Sequence, residues 1–305
     1  MMGVLNHLST LLLLSLLPPA LSHVVKKFSD VPHCKNFFLK GTTPNLPGIL
    51  YDGIVKNQNR YKPICQKYKN IYRFATLYDT TKRIPVFSAY TFTGPPTDRR
   101  PKDPWMIEPQ LEGENNSPEM EKMGGGQYKN QAVNNDYAQS KNPTDYKDVN
   151  RGHLFPNSHA HDLETQESTF TLTNIVPQMV SFNGGSWNEM EKKVREKLET
   201  DCINNYGIKA YVVTGAVPSA KNTLNDRVNI PELMWTAYCC KNKKKGWMAE
   251  AHWKWNNKED KGKTLKPETL GALEKELNKH HQGKDGPVKV FPKKCPRGPK
   301  PTTSS

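Results

Sequence analysis

Six cysteines, Cys34, Cys65, Cys202, Cys239, Cys240 and Cys295, limit what this chain of 305 residues can fold into more than any other feature. An even count fits an oxidising compartment and up to three disulfides. Cys34 and Cys65 both precede the central part of the sequence, and a bond between them would tie the N-terminal stretch to the body. Cys239 and Cys240 are adjacent, and neighbours along a strand point to opposite faces, so they should bond elsewhere rather than to each other. Cys202 and Cys295 are the partners at hand. Zinc is the poorer reading of these residues, because no C-x-x-C pair exists.

Residues 1–22 carry no Lys, Arg, Asp or Glu, and an apolar run from Leu11 to Leu17 ends in Pro18-Pro19-Ala20-Leu21-Ser22. That is the build of a secretory signal peptide, although the usual basic start is missing. The run is too short to cross a bilayer, which needs about 20 apolar residues, so the expectation is a secreted protein without a membrane anchor. The net charge is +14. A polyanion is therefore a natural partner, since Lys and Arg that neutralise phosphates release condensed counterions whatever the sequence read. Anionic glycans and membranes would satisfy the same charge.

Four segments follow from composition: the signal (1–22), a disulfide-tied N-terminal arm (23–69), a main domain (70–283) and a basic, Pro-rich tail (284–305), with 296–305 disordered. In the main domain Tyr72–Tyr78 and Ile84–Thr93 are rich in β-branched and aromatic residues around the turn Asp79-Thr80-Thr81-Lys82, which predicts a hairpin. Pro85 places an edge or a bulge at the start of its second strand. Residues 94–148 are polar and rich in Pro, Gly and Asn, which predicts long loops. Further strands are expected at Thr169–Ile175, Ala210–Thr214, Leu233–Cys240 and Trp247–Trp253, the last two joined over Lys241–Gly246. Trp187, Met190, Val194 and Leu198 form one stripe at helical spacing, predicting a helix over Ser186–Thr200. A second helix is expected over Pro267–His280, with Pro267 in its first turn.

Phosphodiester hydrolysis needs a base for water, positive charge for the phosphoryl oxygens and help for the leaving alkoxide. Asn150-Arg151-Gly152-His153, followed by Asn183-Gly184-Gly185-Ser186-Trp187 and Glu191, offers all three. An imidazole titrates near neutrality and suits the base. A guanidinium fork matches phosphate oxygens. Asn183 and Glu191 carry hard oxygens of the kind that Mg²⁺ accepts while keeping most of its waters. Asn183, Trp187 and Glu191 are spaced i, i+4, i+8, which puts amide and carboxylate on related faces if the helix reaches back that far. His159 and His161 lie nearby and read as loop histidines beside the groove, because the neighbouring donors suit a hard ion better than zinc. Each motif taken alone is weak, and a turn before a helix would explain Asn183-Gly184-Gly185 equally well.

In combination, Ala75–Tyr78, Ile84–Tyr90, Arg151–Pro156, Thr173–Gln178, Asn183–Trp187 and Val212–Gly215 come in an order that resembles the DNA/RNA non-specific endonucleases, a family of ββα-metal nucleases, and within it the animal subgroup called endonuclease domain-containing 1 proteins. The resemblance spans roughly Ala75 to Trp253. It implies an α+β fold with a ββα-metal core, a mixed and mainly antiparallel sheet flanked by helices and long loops, and endonuclease activity on DNA, RNA or both. It implies that His153 is the general base, Arg151 the phosphate contact, Asn183 the direct ligand of Mg²⁺ or Mn²⁺, Glu191 the carboxylate that orients the ion's waters, and Asn174 a residue that shapes the site. An upstream arginine should add a phosphate contact, and Arg99 and Arg100 are the candidates. One departure stands out: Asn150 occupies the place of the Asp in the family's D-R-G-H. If that carboxylate only braces the loop, the Asn carbonyl replaces it. If its charge tunes the arginine or the ion, catalysis weakens, and the alternative is a nuclease-fold protein, feeble or inactive, that binds nucleic acid or other polyanions.

Overall fold

The computed structural model describes residues 23–102, 105–138, 148–242, 244 and 246–298, so the expected signal at 1–22 lies outside the described residues. Along the chain run β1 (Tyr61–Tyr68), β2 (Ile71–Asp79), β3 (Ile84–Phe92), β4 (Val149–His153), helix α1 (Leu163–Ser168), β5 (Ile175–Met179), helix α2 (Asn188–Asp201), β6 (Ala210–Leu224), β7 (Val228–Asn242), β8 (Gly246–Trp255) and helix α3 (Leu270–Leu277). Six strands form one sheet in the order β8-β7-β6-β3-β2-β1, every neighbouring pair antiparallel. β4 and β5 form a separate antiparallel pair. The class is α+β, as the sequence predicts.

Alternation along the long strands decides how the layers pack. On β7, Leu233, Trp235, Ala237 and Cys239 join one apolar cluster, whereas Met234, Tyr238 and Cys240 join another on the opposite face. The first cluster is covered by the N-terminal arm, α3 and the C-terminal segment through Phe28, Phe38, Leu273, Val288 and Phe291. The second is covered by α2 and the turn before it, whose Trp187, Met190, Val194 and Leu198 are all buried as the stripe predicts, and by the loop after β4 through Leu154 and Phe155. The adjacent cysteines follow the same alternation. Cys239 bonds Cys295 on the first face and Cys240 bonds Cys202 on the second, while Cys34 bonds Cys65.

Several expectations need correction. Residues 284–305 are not all tail: Val288, Val290, Phe291 and Cys295 are buried, and the Arg297 guanidinium donates to Glu274 on α3 at 2.8 and 2.9 Å. Residues 299–305 lie outside the described residues. The arm likewise ends in structure, because β1 is the edge strand of the main sheet. Thr169–Ile175 is not a strand. The Thr171 and Thr173 hydroxyls donate to Glu108, the Asn174 side chain ties down nearby backbone, and residues Leu172–Asn174 form a 3-10 turn before β5 begins. The last helix starts later than expected, because its N-cap is Thr269, whose side chain accepts from the Ala272 N–H. Of the two places expected for Pro85, the structure shows the bulge, with the β2–β3 register slipping between Leu77 and Tyr78.

Candidate active site

The β4–β5 pair sets the first half of the site. His153 lies opposite Ile175, Arg151 opposite Pro177 and Asn150 opposite Gln178. Gly152 is required by close approach: a Cβ built there would fall 2.1 Å from Gln178 Oε1 and 2.7 Å from Gln178 Cβ. The Gly of the Arg-Gly-His triplet thus lets the two strands close over a buried glutamine.

His153 lines a cleft of about 670 Å³ together with Arg100, Arg151, Asn150, Asn183 and Glu191. Its ring meets Trp105 at 5.5 Å and Phe170 edge-on at 5.1 Å. Nε2 is buried and makes no hydrogen bond among the described residues. Burial, helped by the Arg100 charge, brings the imidazole down to about 3, so at pH 7 it is neutral and able to accept a proton.

Arg151 is fixed from three sides. Its guanidinium lies 5.0 Å from the Trp105 ring centre and 5.2 Å from that of Tyr137, and Nη2 donates to Asn134 at 3.3 Å. Of the two upstream arginines, Arg100 lines the cleft and sits 5.0 Å from the Phe170 ring, while Arg99 is exposed and does not line it. Trp105 and Tyr137 are the residues that sequence reasoning did not assign. A lone tryptophan among polar, Pro-rich loops was the signal available for one of them.

The second half comes from the start of α2. Residues Asn183–Trp187 form a wide, π-type turn in which Gly185 leaves helical dihedrals (φ −101°, ψ −119°). Positions eight apart on a straight helix differ by about 80° in direction. Here Asn183 and Glu191 nevertheless line the same cleft, while Trp187 points into the core. Such turns recur at functional sites. Glu259 locks the turn, accepting from Ser186 N–H at 2.6 Å and Ser186 Oγ at 2.8 Å, and it approaches Gly185 so closely that a Cβ there would fall 2.5 Å from Oε1.

Asn183 Nδ2 donates to Asn150 Oδ1 at 2.7 Å, which fixes the amide and leaves Asn183 Oδ1 as the free donor atom for a cation. Burial pushes the Glu191 carboxyl up to about 8, against the opposing pull of the Trp187 indole N–H. Among the described residues no three His, Cys, Asp or Glu side chains converge as a ligand set. The oxygens that do converge, one amide and one carboxyl, suit a hard divalent ion that keeps most of its water.

Asn174 stands beneath the cleft rather than in it. Its Oδ1 accepts from Phe155 N–H at 3.0 Å and Ser88 Oγ at 2.9 Å, and its Nδ2 donates to the Phe155 and Thr169 carbonyls, so it holds the loop that leaves His153. His159 is buried between the Tyr90 hydroxyl (2.8 Å) and the Glu191 carbonyl (3.0 Å), a brace between β3 and α2. Nδ1 of His161 bonds the Pro95 carbonyl, away from the ion-facing oxygens.

The sequence profile of the DNA/RNA non-specific endonucleases matches residues 56–275. Endonuclease domain-containing 1 protein from Homo sapiens is 35% identical over 226 residues, and that from Mus musculus is 33% identical over 225, each alignment covering 70% of this chain and 40% of the relative. The matched part of this chain thus spans less than half the length of these relatives. A protein named Nuclease from Nostoc sp. is 29% identical over 86 residues, 28% of this chain and 29% of its own. Among solved structures, one of an EndoG/EndoGI complex aligns with 67% of this chain and 80% of that one at 18% identity and a TM-score of 0.49. With a profile match across most of its length, and with relatives above 30% identity, the chain belongs to the DNA/RNA non-specific endonuclease family.

Proposed function

We propose that this chain is a secreted, sequence-non-specific endonuclease that hydrolyses phosphodiester bonds of DNA, RNA or both, using a divalent ion, Mg²⁺ or Mn²⁺. The observation that carries the reading is the convergence of His153, Arg151, Arg100, Asn183 and Glu191 on one open cleft. The three disulfides fit passage through an oxidising compartment.

In this reading Arg151 and Arg100 hold the scissile phosphate, Arg151 in an orientation preset by Trp105 and Tyr137. The neutral His153 takes a proton from the attacking water. Its basicity is lowered mainly by burial and further by the Arg100 charge, and a phosphate seated on Arg100 offsets that second contribution. Asn183 Oδ1 and Glu191 are the residues that would hold a divalent ion, directly and through water. When bound, that ion supplies Lewis-acid stabilisation of the charge developing on the leaving oxygen. Asn150 contributes by holding the Asn183 amide, a role that needs an acceptor and not a charge.

The test is cleavage of plasmid DNA and of structured RNA by purified protein, with and without Mg²⁺ or Mn²⁺. Metal-dependent nicking that disappears in His153→Ala supports the reading. Cleavage that survives His153→Ala defeats the assignment, and no cleavage with any metal or substrate defeats the activity. A second reading, a nuclease scaffold that only binds polyanions, draws on Asn150 and the +14 charge. It requires salt-dependent binding without turnover.

A further inference from the structure

The face of the sheet turned away from the cleft carries a cluster of cations from both ends of the chain. Lys40 follows the buried Leu39 and has a left-handed backbone (φ 56°). Lys293 and Lys294 precede Cys295, whose bond to Cys239 pins them to the sheet. A backbone bridge between Asn45 and Lys289 brings the two segments side by side, and the nearness of Lys40 lowers the Lys294 ammonium from its ordinary value. Beside them is a hollow of about 540 Å³ lined by Thr42, Thr43, Asn45, Lys289, Lys293 and Arg297.

Counter-charge is short here. The carboxylate of Glu274 is buried and already serves Arg297 at 2.8 Å and Lys289 at 3.3 Å. Lys40, Lys293 and Lys294 are exposed and form no ion pair among the described residues. Like charges so placed repel, and the Asn45–Lys289 backbone bridge, the disulfide and the buried Leu39 and Phe291 keep the two segments in place. The cluster rests on the apolar layer beneath α3 and the arm, whereas Leu154 and Phe155, which follow His153, and α2 belong to the layer on the other face of the sheet. A polymer seated in the catalytic cleft therefore does not neutralise it.

We propose that this surface is a second polyanion site, separate from the catalytic cleft, and that it takes a sulfated polysaccharide chain. Lysines are compact charges on flexible stems, suited to dense sulfates without a fixed geometry. Arg297, whose fork would match a phosphate, is engaged with Glu274. Phe291, the aromatic among the lining residues, is buried and offers no stacking face for a nucleobase. The disulfides, moreover, fit a compartment in which sulfated polysaccharides are abundant.

The experiment uses the full folded chain and a size-defined heparin oligosaccharide, its desulfated counterpart and a short DNA duplex, each titrated calorimetrically over a range of salt. The paired variants Lys40→Gln/Lys294→Gln and Lys40→Glu/Lys294→Glu change exposed side chains, and thermal melts check that both fold. The Gln pair should weaken heparin binding about tenfold and flatten the logarithmic salt slope by about two, with a larger loss in the Glu pair. Binding of the desulfated sugar should be absent, and cleavage of the duplex should stay at the wild-type rate. Heparin affinity unchanged in both pairs would overturn the site. Duplex binding that falls as much as heparin binding would overturn the choice of ligand and make the surface a nucleic-acid track.

Discussion

Replacing Asn150 by Ala and by Asp separates a brace from a charge. Among the described residues the Asn183 amide has one hydrogen bond to hold it, Nδ2 to Asn150 Oδ1 at 2.7 Å. In Asn150→Ala that bond is lost, and a neutral bond of this kind contributes about 1 kcal/mol. The Asn183 amide then turns freely, so half-saturation by Mg²⁺ or Mn²⁺ should rise about fivefold, since 1.4 kcal/mol is a factor of ten. In Asn150→Asp the acceptor becomes charged, and such bonds are roughly twice as strong, so the same quantity should fall about fivefold. The new carboxylate also attracts the ion, which acts in the same direction. Cleavage of a fluorescent duplex titrated with metal gives both half-saturation and the rate at saturating ion. If Asn150 is a brace, the saturated rates of wild type and Asn150→Asp agree within about threefold, a difference below about 1 kcal/mol. A metal requirement unchanged in Asn150→Ala would refute the bracing role. A gain of orders of magnitude in the saturated rate of Asn150→Asp would instead show that the missing charge limits catalysis.

Glu191 should couple ion binding to pH. With its carboxyl pushed up to about 8, the folded ion-free chain keeps a proton that the unfolded chain releases near 4.5, so stability falls as pH rises from about 4.5 to 8, by at most on the order of 5 kcal/mol. Glu191→Gln should remove that slope in pH-dependent melts, and calorimetry in buffers of different ionisation heat should show metal binding at pH 7 releasing about 0.9 proton from wild type and none from the variant. His159, brought down to about 4 mainly by burial, acts in the opposite sense. The unfolded imidazole takes a proton near 6.5 that the folded one refuses, so stability is lost as pH falls from about 6.5 to 4, and His159→Gln should flatten the acid limb of the denaturation curve. Gly152→Ala should cost about 1–3 kcal/mol in urea unfolding by forcing a Cβ onto Gln178, and Gln178→Ala in the same chain should recover part of it. Arg100→Gln should raise KM and lower kcat in duplex cleavage, while Arg99→Gln leaves both near wild type; equal losses would mean that the cleft extends past Arg100.

Local pattern determined much of this protein. Strand-forming composition made β2, β3, β7 and β8 readable, the stripe from Trp187 to Leu198 gave the buried face of α2, and adjacency alone told that Cys239 and Cys240 leave the sheet on opposite sides. These features depend on side-chain direction along a few consecutive residues, which a sequence states directly. The donor types of the site were legible for the same reason, since imidazole, guanidinium and amide are properties of single residues. Tertiary structure alone decided which of two adjacent arginines enters the cleft, that Asn150 grips Asn183 across 33 positions, and that Glu191 holds its proton at neutral pH. It also turned Thr171–Asn174 from a strand into a hydroxyl- and amide-braced turn, and drew Val288–Cys295 onto the sheet, setting Lys294 against Lys40. Each of these depends on desolvation and on contacts between distant segments, and neither quantity is defined until the chain has closed around the site.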